Sequence, residues 1–99
     1  MAEFKLINKT IADLGQIWNY TFDTWSENQA DKSYEMLISA CGEIAANPTR
    51  GKIYEDISEG LFGMMTNRHI IFYRILNGSL IEITRILHER MDLKMRIEK

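Results

Sequence analysis

The sequence predicts an α+β domain: an N-terminal strand, then an antiparallel two-helix hairpin packed on a small, mostly antiparallel sheet, in the order β-α-α-β-β-β. Three observations lead there. Apolar residues recur at three- and four-residue steps through residues 10–46, branched and aromatic residues crowd 60–87, and Asn77-Gly78 separates two strand-like runs. A length of 99 residues, 45% hydrophobic and 26% charged, suits one domain spanning 1–99 and excludes a multidomain enzyme.

Phe4, Lys5, Leu6 and Ile7 alternate weakly, as a short strand at a sheet edge does. Thr10-Ile11-Ala12-Asp13 has the form of a capping box, which predicts a helix starting at Thr10, with the Asp13 charge suited to the positive end of the helix dipole. Ile11, Leu14, Ile17, Trp18, Thr21, Phe22 and Trp25 form the expected apolar stripe of this helix, while Asp13, Gln16, Asn19 and Asp23 face away. Ser26-Glu27-Asn28-Gln29 offers a second capping box. It opens a helix on which Ala30, Tyr34, Leu37, Ile38, Cys41, Ile44 and Ala45 repeat the spacing as far as Asn47-Pro48. One or two residues between the helices force an antiparallel pair.

Residues 48–59 hold the single proline, Gly51 and mixed charges without a period, and read as a connecting loop. Residues 60–65 and 69–76 read as strands, and Asn77-Gly78 as a type I′ turn into a further strand over 80–87. A regular register pairs Leu76 with Ser79, Phe72 with Ile83 and Tyr73 with Glu82. It turns Ile70, Phe72, Ile81 and Ile83 toward the helices. The opposite face, with His69, Ile71, Tyr73, Glu82, Thr84, Ile86 and His88, is then the expected binding face. Residues 91–99 fit a short helix, an added strand or a tail equally well.

Twelve basic against fourteen acidic residues give a net charge of −2, which does not fit a general phosphate-backbone binder. The charge is polarised: residues 1–66 carry five Lys/Arg and ten Asp/Glu, residues 67–99 seven and four. Cys41, the only cysteine, excludes an internal disulfide and a multi-cysteine metal site and fits a reducing cytoplasm. No stretch approaches the roughly 18 apolar residues of a spanning helix, so no membrane association is expected.

Catalytic signatures are sparse: there is no Gly-rich phosphate loop, no Gly-x-Ser-x-Gly and no His-Glu-x-x-His. Arg85 with His88-Glu89-Arg90 is the one tight cluster that joins a general base to guanidinium groups, the combination needed to deprotonate a ribose 2′-OH and stabilise a charged phosphate. In a regular strand Arg85 and His88 point to opposite faces, and only a bulge or a strand end brings them together. His69 reads as a structural residue that forms, with His88, only an incomplete metal site, so neither a metal centre nor a cofactor is expected. Trp18, Phe22 and Trp25 read as core or hairpin packing rather than a base-stacking platform, and Cys41 as a small buried hydrophobe.

Ala12-Asp13-Leu14 through Ile17-Trp18-Asn19-Tyr20, Ala45-Ala46-Asn47-Pro48 with Gly51-Lys52, His69-Ile70-Ile71-Phe72-Tyr73-Arg74, and Arg85-Ile86-Leu87-His88 with Met91-Asp92 together resemble the ParE branch of the RelE/ParE toxin family. The resemblance implies the toxin of a bacterial type II toxin–antitoxin pair of the plasmid-stabilising kind, neutralised by a small cognate antitoxin, ParD-like or related. ParE-like toxins act on DNA gyrase, and RelE-like relatives cut messenger RNA on the ribosome. RNA-cleaving relatives often end in a His-Tyr pair, whereas here Glu89 follows His88, a carboxylate that repels a scissile phosphate. The expectation is therefore a non-enzymatic gyrase inhibitor. A RelE-type endoribonuclease using Arg85 and His88, or a non-toxic interaction module, are the alternatives. Arg85, His88, Arg90, Met91, Asp92 and Lys94 are the expected target contacts, and Trp18, Phe22 and Trp25 the expected antitoxin contacts. Direct nucleic-acid binding is not expected of the toxin apart from its antitoxin.

Overall fold

Residues 3–89 are described by a computed structural model. Branched and aromatic residues build five strands: β1 (Glu3–Leu6), β2 (Lys52–Ile53), β3 (Phe62–Thr66), β4 (His69–Asn77) and β5 (Leu80–His88). Two helices, α1 (Asn8–Thr24) and α2 (Glu27–Ala46), follow β1, and only Trp25 and Ser26 separate them. The sheet order is β1-β5-β4-β3-β2, with β1 parallel to β5 and every other pairing antiparallel. The expected architecture holds, with β1 at the sheet edge and a two-residue strand, β2, added within the connecting segment.

The second helix starts as its sequence requires, with the Ser26 hydroxyl accepting the Gln29 N–H at 3.1 Å. The first does not. It starts at Asn8, its cap residue Ile7 makes no side-chain bond, and both members of the expected capping box are used elsewhere. Thr10 is fully buried and donates its hydroxyl to the Ile83 carbonyl at 2.6 Å, while Asp13 is buried against β5. The buried face of α1 therefore carries Thr10, Asp13 and Leu14, with Ile17 half-buried, whereas Ile11, Phe22 and Trp25 of the expected stripe lie exposed. Two polar side chains occupy inward positions because each finds a partner on the sheet.

The β4–β5 hairpin differs from a regular register at two places. Asn77 pairs with Leu80, so the turn residues are Gly78 and Ser79, one step later than expected. Neither Asn77 nor Gly78 takes a positive φ. The turn is held instead by the Asn77 side-chain oxygen, which accepts the Ser79 N–H at 2.9 Å and its hydroxyl at 3.1 Å. The pairs on either side of Leu76 are Ile75↔Ile81 and Asn77↔Leu80, which makes Leu76 an extra residue on β4, and Tyr73 meets Ile83 where Phe72 was expected. A slip of one residue exchanges the two faces of a strand. Ile71 and Tyr73, rather than Ile70 and Phe72, join Ile81, Ile83 and Ile86 beneath Leu14, Leu37, Cys41 and Ile44 of the helices.

The reverse side of the sheet is not an open binding face. Ile70, Phe72 and Leu87 pack there with Leu61, and Tyr54 and Ile57 of the connecting segment close over them. Gly63 makes this cover possible, since a Cβ at that position would stand 2.6 Å from the Tyr54 ring. Arg74 ties the segment down with hydrogen bonds to the Glu59 carbonyl and the Ser58 hydroxyl. What the sequence marks as an irregular loop is a second, smaller core.

Candidate functional site

The site starts from an irregularity in β5. Phe72 pairs with Arg85 and Tyr73 with Ile83, so Thr84 is an extra residue on β5 and the strand bulges. Ile81 and Ile83 face the helices before the bulge and Ile86 after it. The added residue turns Arg85 and Ile86 toward the same layer, which resolves the parity conflict between Arg85 and His88. Side chains satisfy the backbone around the bulge: Thr10 bonds the Ile83 carbonyl, Thr84 bonds the Phe72 carbonyl at 3.2 Å, and Asp13 accepts the Ile86 N–H at 3.1 Å.

Asp13 also takes the Arg85 guanidinium with both oxygens, at 2.8 Å from Nε and 2.9 Å from the terminal nitrogen. Only 8% of the Asp13 side chain and 17% of Arg85 remain exposed, so solvent screens this pair weakly. The hydrogen bonds to Asp13 raise the Arg85 pKa above its ordinary value, with burial opposing and the Asp13 charge adding to the rise.

Arg85 and His88 line one cavity of about 860 Å³ between α1, the start of α2, the β3–β4 turn and the end of β5. Tyr20, Trp25, Arg68 and His69 line it too. His69 and His88 are register partners, with ring centroids 5.5 Å apart and planes at 81°. Burial pushes the His69 pKa down, the neighbouring His88 adds to that, and Glu89 opposes it. Glu89 pairs with Arg68 at 3.7 Å, and Asn67 supports the turn between β3 and β4 with a φ of 59°.

The expected site residues therefore divide. The cavity unites Arg85 and His88 with Trp25, which is 75% exposed. Trp18 lies elsewhere, lining a smaller hollow with Asp31 and Tyr34 between the helices. It stacks on Phe22 at 5.2 Å and donates its indole N–H to Asp31 at 3.0 Å. Trp18 is half-buried in hairpin packing, as expected, whereas Phe22 and Trp25 are exposed rather than core. Arg90, Met91, Asp92 and Lys94 lie outside the described residues. Sequence reasoning missed Asp13, Arg68 and Tyr20. The one signal for Asp13 was its place in the helical spacing between Thr10 and Ile17, the face that became buried. Cys41 is buried, and its thiol is pushed up to about 12 by that burial, in keeping with a packing role.

A helical hairpin on one side of a mixed sheet, with the Asp13–Arg85 pair lining a cavity between them, defines a small α+β domain. Residues 5–93 match the family described as the ParE toxin of the type II toxin-antitoxin system, parDE, and the chain belongs to that family. Toxin ParE1 of Mycobacterium tuberculosis (strain CDC 1551 / Oshkosh) is 35% identical over 82 residues, covering 83% of this chain and 84% of the relative. Toxin ParE1 of Caulobacter vibrioides is 30% identical over 97 residues, covering 98% and 99%. A solved structure titled as the chromosomal ParDE TA system from P. aeruginosa shares the fold, with a TM-score of 0.76 at 19% identity over 89% of this chain and 96% of that one.

Proposed function

We propose that this ParE-type toxin inhibits DNA gyrase, is held inactive by a cognate antitoxin, and serves plasmid stabilisation from the cytoplasm, where its target resides. The observation that carries the non-enzymatic part of this reading is the Asp13–Arg85 pair. A guanidinium whose charge a buried carboxylate already neutralises is a poor clamp for a scissile phosphate, so Arg85 positions the end of β5 rather than catalysing. His88 and the rim of the cavity, together with Arg90, Met91, Asp92 and Lys94, then make the target contact. The antitoxin is read as an apolar, extended or helical segment seated against the hairpin, with exposed Trp25 and Phe22 as anchors and Trp18 beside them.

The deciding experiment is a supercoiling assay with purified gyrase. Inhibition together with trapped cleaved DNA supports the reading, and the absence of both overturns it. One observation favours a second reading, a RelE-type messenger-RNA endonuclease: the two imidazoles that line the cavity side by side. Ribosome-dependent cleavage that disappears in His88→Ala would establish it. Harmless overproduction without antitoxin would point to an interaction module.

A further inference from the structure

We propose that His69 and His88 form a two-imidazole chelate for one divalent transition cation of the zinc class, at the mouth of the cavity. The two residues are direct cross-strand partners near the end of the β4–β5 hairpin, where facing side chains stand close enough to share a ligand. Their ring centroids are 5.5 Å apart. A zinc–nitrogen bond of about 2.0 Å, plus roughly 1 Å from nitrogen to ring centre, puts two imidazoles on one tetrahedral ion about 5 Å apart.

Imidazole donors select zinc, copper and nickel over magnesium and calcium, which take oxygen ligands. Among the described residues no group of three His, Cys, Asp or Glu side chains is placed to hold an ion, and Glu89 pairs with Arg68, so the described residues supply two ligands. The remaining coordination positions open onto the cavity, where water or a carboxylate of a docked segment completes the sphere. Such a site has the open coordination that separates exchangeable metal sites from closed structural ones. This inference is independent of the identity of the toxin's target.

The test uses the full 99-residue chain and zinc chloride alone. The chain contains two histidines, so imidazole resonances in an NMR titration report on these two residues and no others. The expected result is that both imidazoles shift together and saturate at one equivalent of zinc. Calorimetry should show affinity falling at least about tenfold in His69→Gln and in His88→Gln, the scale on which even outer-shell partners act. A shift of only one imidazole, of neither, or undiminished binding in both variants would overturn the proposal. If a variant fails to fold by circular dichroism, the wild-type resonances decide alone. Magnesium chloride at the same concentration should leave both imidazoles unmoved.

Discussion

The Asp13 carboxylate, projecting from α1, holds the Arg85 guanidinium of β5 in a bidentate grip across 72 residues of sequence and takes the neighbouring Ile86 N–H as well. One side chain thereby fastens the helical layer to the bulged strand that lines the cavity. Removing it takes a buried bidentate partner from the Arg85 guanidinium and the acceptor from the Ile86 N–H. Asp13→Ala should cost about 3–5 kcal/mol of unfolding free energy, measured by urea denaturation. A loss below about 1 kcal/mol would mean that solvent reaches Arg85 far better than its burial indicates.

Thr10 acts on the other side of the same bulge. Its hydroxyl is buried and bonded to the Ile83 carbonyl. Thr10→Val keeps the shape and deletes the donor, so an acceptor near the bulge loses its partner. The expected cost is about 1–3 kcal/mol, and Thr10→Ser should recover most of it.

His69 makes stability depend on pH. Its folded pKa lies below the ordinary value of 6.5, so the unfolded chain binds the proton more readily. The contribution of neutral His69 is therefore complete above pH 6.5 and is lost as the pH falls through the folded value. Melting temperatures recorded between pH 8 and pH 5 should decline less in His69→Gln than in the parent. Parallel curves would show that burial of His69 has no bearing on acid stability.

Substitutions at Trp25 and Trp18 test the proposed antitoxin contact against folding. Trp25 is 75% exposed, and its replacement by Ala should change stability by no more than about 0.5 kcal/mol while weakening antitoxin binding by about 2 kcal/mol, as loss of an anchor does. Trp18 stacks on Phe22 and bonds Asp31, so Trp18→Ala should destabilise the hairpin by about 1 kcal/mol or more. Thermal melts beside a binding titration distinguish the two.

The elements were legible in the sequence because each depends on local chemistry: the helical spacing of Leu37, Cys41 and Ile44, the Ser26 cap, and the branched residues of β4 and β5. Which face each element buries was less legible. The α1 stripe was misread because Thr10 and Asp13 are polar, and only the β5 partners 70 or more residues away make their burial favourable. The hairpin faces were inverted because Leu76 and Thr84 are extra residues, and pattern alone does not reveal a bulge. Convergence of Arg85 and His88 was foreseen only on condition of such a bulge, and the structure meets that condition.

Thr84 has one more consequence. In a strand with strict alternation, neighbours such as Arg85 and Ile86 look in opposite directions, and the supernumerary residue is what lets both serve the helix side. Excising that codon would straighten the ribbon and leave Ile86 and His88 facing as they do now. It would also swing the guanidinium round to the side sealed by Tyr54 and Ile57, away from Asp13.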